Sequence, residues 1–389
     1  MPTKISQLAE YNLLTASAFI PIVDNNETVG DKNKKISITD LRKVFYLNSR
    51  NTSSFIRHTP GLYYFGDNSD GAGNFSGSIT TLRTRISASF ASTQDGLPVV
   101  KNFSSLFISR SVVISPTNRC RGMLIFVDGD ATISGSISMT ARGASAVGAD
   151  ASFITINPPY LGDYWSTQLF PSASYLSRVF AVGAAGGPTS TYSGVAPVGS
   201  AGINGRSGGG GAGGGSGGGG GNGGAGSAGT SYSGGSGGGG GGSSSGNGTA
   251  ASPNGGAGGN GNQFGGGGAG NPGGISPGGG TAGGNGTGGL LILIVRGNLK
   301  IGPNGSITSN GFAGGGFSGN PSQYHGGGGG GGGGILYIYY GGTLTNNGTV
   351  TSSGGSGGSI PTPLGQSGGA GGAGTSIISK LNVAFPVAN

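Results

Sequence analysis

The residues best typed and spaced for acid–base chemistry are Asp128 and Asp130, one glycine apart in "FVDGDATI". Two carboxylates flanking a scissile bond are the machinery of most glycoside hydrolases. Asp-Gly-Asp between two apolar runs is equally a turn, because Asp supplies local hydrogen bonds and Gly the backbone freedom of a reversal. The turn is the expectation here. A further carboxylate, Asp163, adjoins Tyr164 and Trp165 in "PPYLGDYWSTQLF". Aromatic rings beside an acid suit a sugar, and they also suit the packing of a junction. The single cysteine, Cys120, and the two histidines, His58 and His325, exclude an intrachain disulfide framework and a zinc cluster. With no histidine near it in sequence, Cys120 reads as a buried small apolar residue and not as a nucleophile. No phosphate-binding GxxxxGK[ST] occurs, and the GxGxxG matches follow from glycine content alone. Glycine repeats that bind calcium need aspartates, which the glycine-rich part lacks. The expectation is a chain without catalytic residues, metal or cofactor.

Composition limits what can position such residues. Glycine accounts for 96 of 389 residues and charged residues for 8%, against roughly 7% and 25% in average globular chains. Residues 201–290 are more than half glycine and carry few large apolar side chains, Ile203, Tyr232, Phe264, Ile275 and Leu290 among them. All twelve acidic residues lie at or before Asp163, and the basic residues beyond it are Arg178, Arg206, Arg296, Lys300 and Lys380. The net charge of +8 therefore reflects missing acids more than a basic stripe, and nucleic acid is not an expected partner. The aliphatic run Leu290–Val295 is far short of the roughly 20 residues of a membrane-spanning helix. The opening residues lack an apolar signal core. Neither membrane insertion nor classical export is expected.

Residues 1–47 read as a small unit. Phe19, Ile20, Ile22 and Val23 form a strand around Pro21, Lys34 to Ile38 begin a second, and Thr39 caps a short helix through Leu41, Val44 and Phe45. Residues 48–182 are rich in short strands separated by Gly, Pro and Asn. In residues 183–389 strand pairs recur between glycine-rich stretches. "LIFVDGDATISGSISMTARG" (124–143), "LIVRGNLKIGPNGSITSNG" (293–311) and "YIYYGGTLTNNGTVTSSG" (337–354) share an apolar run, a turn, a second strand and a Gly-Ser/Thr-Ile/Val-Ser/Thr close. Such an internal repeat most simply stacks as layers of a solenoid or of one continuous sheet.

A glycine stretch can be a tether or a packed lattice. Ordering a residue costs roughly 1–2 kcal/mol, and more for glycine, so a lattice needs dense compensating bonds. Left-handed three-residue-per-turn chains without Cβ atoms can approach closely enough to supply them. A long tether between neighbouring layers has no evident use, which favours the lattice. The fold class expected is mainly β, as solenoid-like or sheet repeats of short strands interleaved with a polyglycine-II helix bundle, plus a small α+β N-terminal segment.

"KISQL…FIPIVDN…KKISITDLR" resembles the N-terminal segment of many bacteriophage tail-fibre and virion-attached proteins, which implies that residues 1–47 mount the protein on a virion. Residues 183–375, glycine islands with short polar or aromatic interruptions, are similar to the distal adhesins of T-even-like phage long tail fibres, in which polyglycine helices display recognition loops. The strand runs "LLILIV" and "ILYIYY" depart from that pattern, so loop order does not carry over. Together the resemblances imply a non-enzymatic tail-fibre or tail-tip protein, made in the host cytoplasm and carried on the virion. Its partners would be a bacterial cell-surface receptor, glycan or outer protein, and other tail or baseplate proteins, and it would be a homotrimer. Receptor contact is expected at Trp165, Tyr192, Tyr232, Phe264, Phe317, Tyr324 and His325, since exposed aromatics give contact area at low entropy cost. Packing between glycine layers is the alternative for each. Two other functions fit the composition: a surface-polysaccharide depolymerase on a β-solenoid, and a purely structural, ice-binding-like glycine-rich protein.

Overall fold

The computed structural model describes residues 19–23, 33–37, 65, 68–77, 86–144 and 187, and then 201–202, 204, 214, 223–230, 233–241, 248–251, 258–261, 265, 268–270, 273–276, 280–317, 325–361 and 365–380. The chain divides into two compact units, Met1–Arg57 and His58–Asn389. In the first, β1 (Phe19–Val23) and β2 (Asn33–Ser37) pair antiparallel, Phe19 opposite Ser37. Both stand where the sequence places them, while the helix expected after Thr39 lies outside the described residues. In the second unit, strands from both sides of residue 183 share the same sheets. The change of composition there is not a break in the fold.

Strands of the second unit visit three parallel sheets in rotation. The first circuit is β3 (Ala72–Phe75), β4 (Ile86–Phe90) and β5 (Val99–Phe103), and the second is β6 (Ser105–Ile108), β7 (Val112–Pro116) and β8 (Met123–Val127). The third is β9 (Ala131–Ile133), β10 (Ser136–Ser138) and β11 (Leu290–Val295). The fourth is β12 (Leu299–Ile301), β13 (Ser306–Thr308) and, beyond the short β14 (His325–Gly326), β15 (Ile335–Tyr340). The last is β16 (Leu344–Asn346), β17 (Thr349–Thr351) and, beyond β18 (Gly365–Gln366), β19 (Thr375–Lys380). Three five-stranded sheets result: β16-β12-β9-β6-β3, β17-β13-β10-β7-β4 and β19-β15-β11-β8-β5. The register follows the sequence repeat, with Ser136, Ser306 and Thr349 side by side, as are Ile137, Ile307 and Val350.

Burial explains the strand sequences. In the first two sheets inward residues alternate with partly exposed ones, as in Val112–Pro116 and Ala131–Ile133. In the third, Ile125, Leu293 and Ile338 join the core, yet Leu124, Phe126, Ile294, Tyr337 and Tyr339 on the opposite face are at most 4% exposed. A parallel sheet buried on both faces reads as unbroken apolar runs, hence "MLIFV", "LLILIV" and "ILYIYY". At the first circuit one phenylalanine from each sheet closes the core: Phe75, Phe90 and Phe103, with ring centroids 5.8 to 6.4 Å apart. Gly73 makes room for them, since a Cβ there would press on Phe103 and Leu106.

The glycine-rich segments all leave the second sheet and return to the third: 139–289 between β10 and β11, 309–334 between β13 and β15, and 352–374 between β17 and β19. In the first two circuits the same corner is a short turn, clasped by a bidentate pair in which Arg119 Nε and Nη2 donate to Asp95 at 2.7 and 3.0 Å. Gly326–Gly334 is buried along its whole length, and its amides take three partners in a three-residue cycle. Gly327, Gly330 and Gly333 donate to Gln366, Gly369 and Gly372 at 2.8, 2.9 and 2.9 Å. Gly328, Gly331 and Gly334 donate to Gly315, Phe312 and Ser309 at 2.9, 3.0 and 2.7 Å, and Gly329 and Gly332 to Gly238 and Gly235 at 2.9 and 2.7 Å. Carbonyls of the same segment accept from Gly358, Gly355, Ala269 and Gly288. Segments at the surface keep the period but carry a side chain at every third position: Ser353, Ser356 and Ser359 are exposed, while Ser352, Gly355 and Gly358 are buried.

Candidate recognition surface

The residues with chemical potential fall into corners of the sheets. Asp128 and Asp130 lie in the bend between β8 and β9. Asp128 accepts from Asn68 Nδ2 at 2.9 Å and pairs with Arg296 Nε at 3.0 Å. Asp130 accepts the Asn298 N–H at 2.7 Å, and Asn298 Oδ1 accepts the Thr343 N–H at 2.9 Å, so one circuit ties the next. Asp70, by contrast, joins the start of the first circuit to its end, taking the N–H of Asn102 in β5 at 2.7 Å. The turn reading of "DGD" holds. Cys120 is fully buried, its Sγ 3.2 Å from the Gly122 carbonyl, and burial pushes its thiol pKa up. It is a packed residue, as its sequence context suggests. Among the described residues no group of three or more His, Cys, Asp or Glu could hold a metal ion, and no helix is long and apolar enough to cross a membrane.

The hydrogen-bonded glycine segments have a strand end and a far end. At the strand end, Gly288, Ser309, Gly334, Ser352 and Gly374 adjoin β11, β13, β15, β17 and β19. At the far end, Gly326 bridges Gly265, Gly280 bridges Phe317, and His325–Gly326 pairs with Gly365–Gln366. Gly240 belongs to the same level, its carbonyl lying where a Cβ on Gly265 would fall. The described residues that flank 242–247, 262–264, 277–279, 318–324 and 362–364 therefore gather at one end, away from the sheets.

Two of the aromatics expected to contact a receptor are described, and both correct the expectation of exposure. Phe317 is 6% and His325 0% exposed, and their rings stack with centroids 3.8 Å apart and planes at 21°. They are the residues on either side of 318–324, and the stack holds these two flanks together. Burial of two rings against glycine, which offers no side chain of its own to fill space, is the physical reason. Tyr324 and Phe264 lie outside the described residues, but their neighbours His325 and Gly265 are at the far end. Tyr232 lies outside them too, between residues at the opposite end. Ser233 N–H donates to Thr230 Oγ1 at 2.9 Å, both residues are fully buried, and Ser233 bridges Gly289 beside β11. Trp165, Asp163 and Tyr192 also lie outside the described residues. The sequence reading passed over an exposed trio on the outer layer: Thr249, Asn260 and Ile275. The signal available was Ile275 itself, a large apolar residue in a stretch with no core to enter.

In comparisons with known proteins, no family model, curated protein or solved structure matches the chain. The likeness to phage tail proteins rests on the quoted motifs.

Proposed function

We propose that this chain is a non-enzymatic adhesin of a bacteriophage tail fibre or tail tip. Residues 1–47 would mount it on the virion, the circuits of strands would form a β-solenoid, and the glycine segments a polyglycine-II bundle that presents its far end to a bacterial surface receptor. The observation that carries this reading is the meeting of Gly265, Gly280, Phe317, His325 and Gly365 at one end of hydrogen-bonded glycine segments. Fixing the ends of short segments in this way lowers the conformational cost of their binding. A depolymerase is less well supported, because Asp128 and Asp130 are engaged in holding adjacent circuits together. The test is adsorption of the purified full chain to cells of the strain on which the particles propagate, with surface glycans assayed afterwards. Saturable adsorption with intact glycans is the expected result; shortened glycans would replace the reading with a depolymerase.

A further inference from the structure

We infer that the ligand is an uncharged polysaccharide, seated on the outer glycine layer around Thr249, Asn260 and Ile275; the inference rests on the adhesin reading. From Ser207 to Val295 and from Ile301 to Ser379 the chain contains no Asp, Glu, Lys or Arg. Those ranges supply most of the described bundle. Their described residues therefore offer no charged side chain to a phosphate, a carboxylate or an ammonium group. A partner matched to that surface is itself without charge.

The trio supplies what a neutral sugar presents in return. Asn260 is fixed at three points: its N–H donates to Thr249 Oγ1 at 2.8 Å, its carbonyl accepts from that hydroxyl at 3.0 Å, and its Oδ1 accepts the Ile275 N–H at 3.0 Å. The carboxamide is thus oriented by its oxygen, and its Nδ2 donates to none of the described residues. Ile275 beside it is 63% exposed. An oriented amide next to an apolar side chain matches the alternation of hydroxyls and C–H faces on a pyranose ring, and oriented polar groups beside apolar area are the common form of small-ligand sites.

Binding of labelled full chain to cells of the propagating strain tests this, with the cells untreated, oxidised with periodate to open sugar diols, or shaved with protease. Adsorption is expected to vary by no more than about twofold up to about 1 M NaCl, where the screening length falls to about 3 Å. It is expected to vanish after periodate and to survive protease. Ile275→Asp, at a side chain folding leaves in solvent, is expected to lower affinity about tenfold or more with an unchanged melting curve. A fall of tenfold or more in salt, survival after periodate, or unaltered binding by I275D overturns the inference and leaves the adhesin reading standing. No adsorption under any condition removes the adhesin reading and this inference with it.

Discussion

At Gly330 an added Cβ would fall well inside contact distance of the Gly355 carbonyl, whereas at Gly331 the nearest atoms are Thr287 Cγ2 at 3.3 Å and the Gly286 carbonyl at 3.4 Å. Neighbouring glycines of one run thus differ sharply in what they tolerate. Gly330→Ala is expected to destabilise the fold by about 1–3 kcal/mol through overpacking. Gly331→Ala is expected to change stability little, because a slight crowding is set against the roughly 0.4–1 kcal/mol gained by restricting the unfolded chain. Denaturant melts of both variants compare them directly, and equal losses would mean that the run is not held as described. Cys120 makes a second residue-scale test. With its thiol pKa raised by burial, the thiolate is scarcer than in a free cysteine and the sulfur is shut from solvent. Ellman's reagent is expected to react with the native chain only at the rate of unfolding; prompt reaction would show that the corner is open.

Much of the element scale can be read from residue order, for reasons that differ by element. The strands β8–β10, β11–β13 and β15–β17 are legible because circuits in register repeat the same inward positions, and Gly135, Gly305 and Gly348 mark the same turn. The strands β3–β7 are not legible as part of that series: their circuits lack the glycine-rich insertion, and Val113 stands where later circuits have Ser136 and Ser306. Nor does the sequence announce the phenylalanine plug, since Phe75, Phe90 and Phe103 meet only when three sheets bring them together. Phe103→Ala is expected to cost about 3–5 kcal/mol, more than removal of the partly exposed Phe75 ring, as thermal melts would register. The candidate surface was the least legible part. Aromatic type flagged Phe317 and His325, but a ring beside a long glycine run fills space as readily as it meets a ligand. For Gly326–Gly334, hydrogen exchange is the direct measure: protection comparable with that of Ile335–Tyr340 is expected, and exchange at the free-chain rate would remove the lattice.

For the whole molecule, the division after Arg57 sets the decisive truncation. A chain comprising 58–389 is expected to adsorb to cells as the full chain does and to be missing from particles assembled in its presence; incorporation of the truncated chain would remove the mounting role. Light scattering is expected to give a trimer, in keeping with the fibre proteins the chain resembles, and a stable monomer would remove that part alone. The amide cycle of the central glycine run also has a consequence in time. Each circuit of strands can dock on the one before it as the chain leaves the ribosome, but Gly327, Gly330 and Gly333 donate to Gln366, Gly369 and Gly372, each made 39 residues later. A nascent chain stalled at Pro361 would hold those three amides without acceptors, at about 1–3 kcal/mol each if they stay buried. The stack of strands can thus grow turn by turn during synthesis, while the central glycine run closes its hydrogen bonds only once the segment after Pro361 has been made.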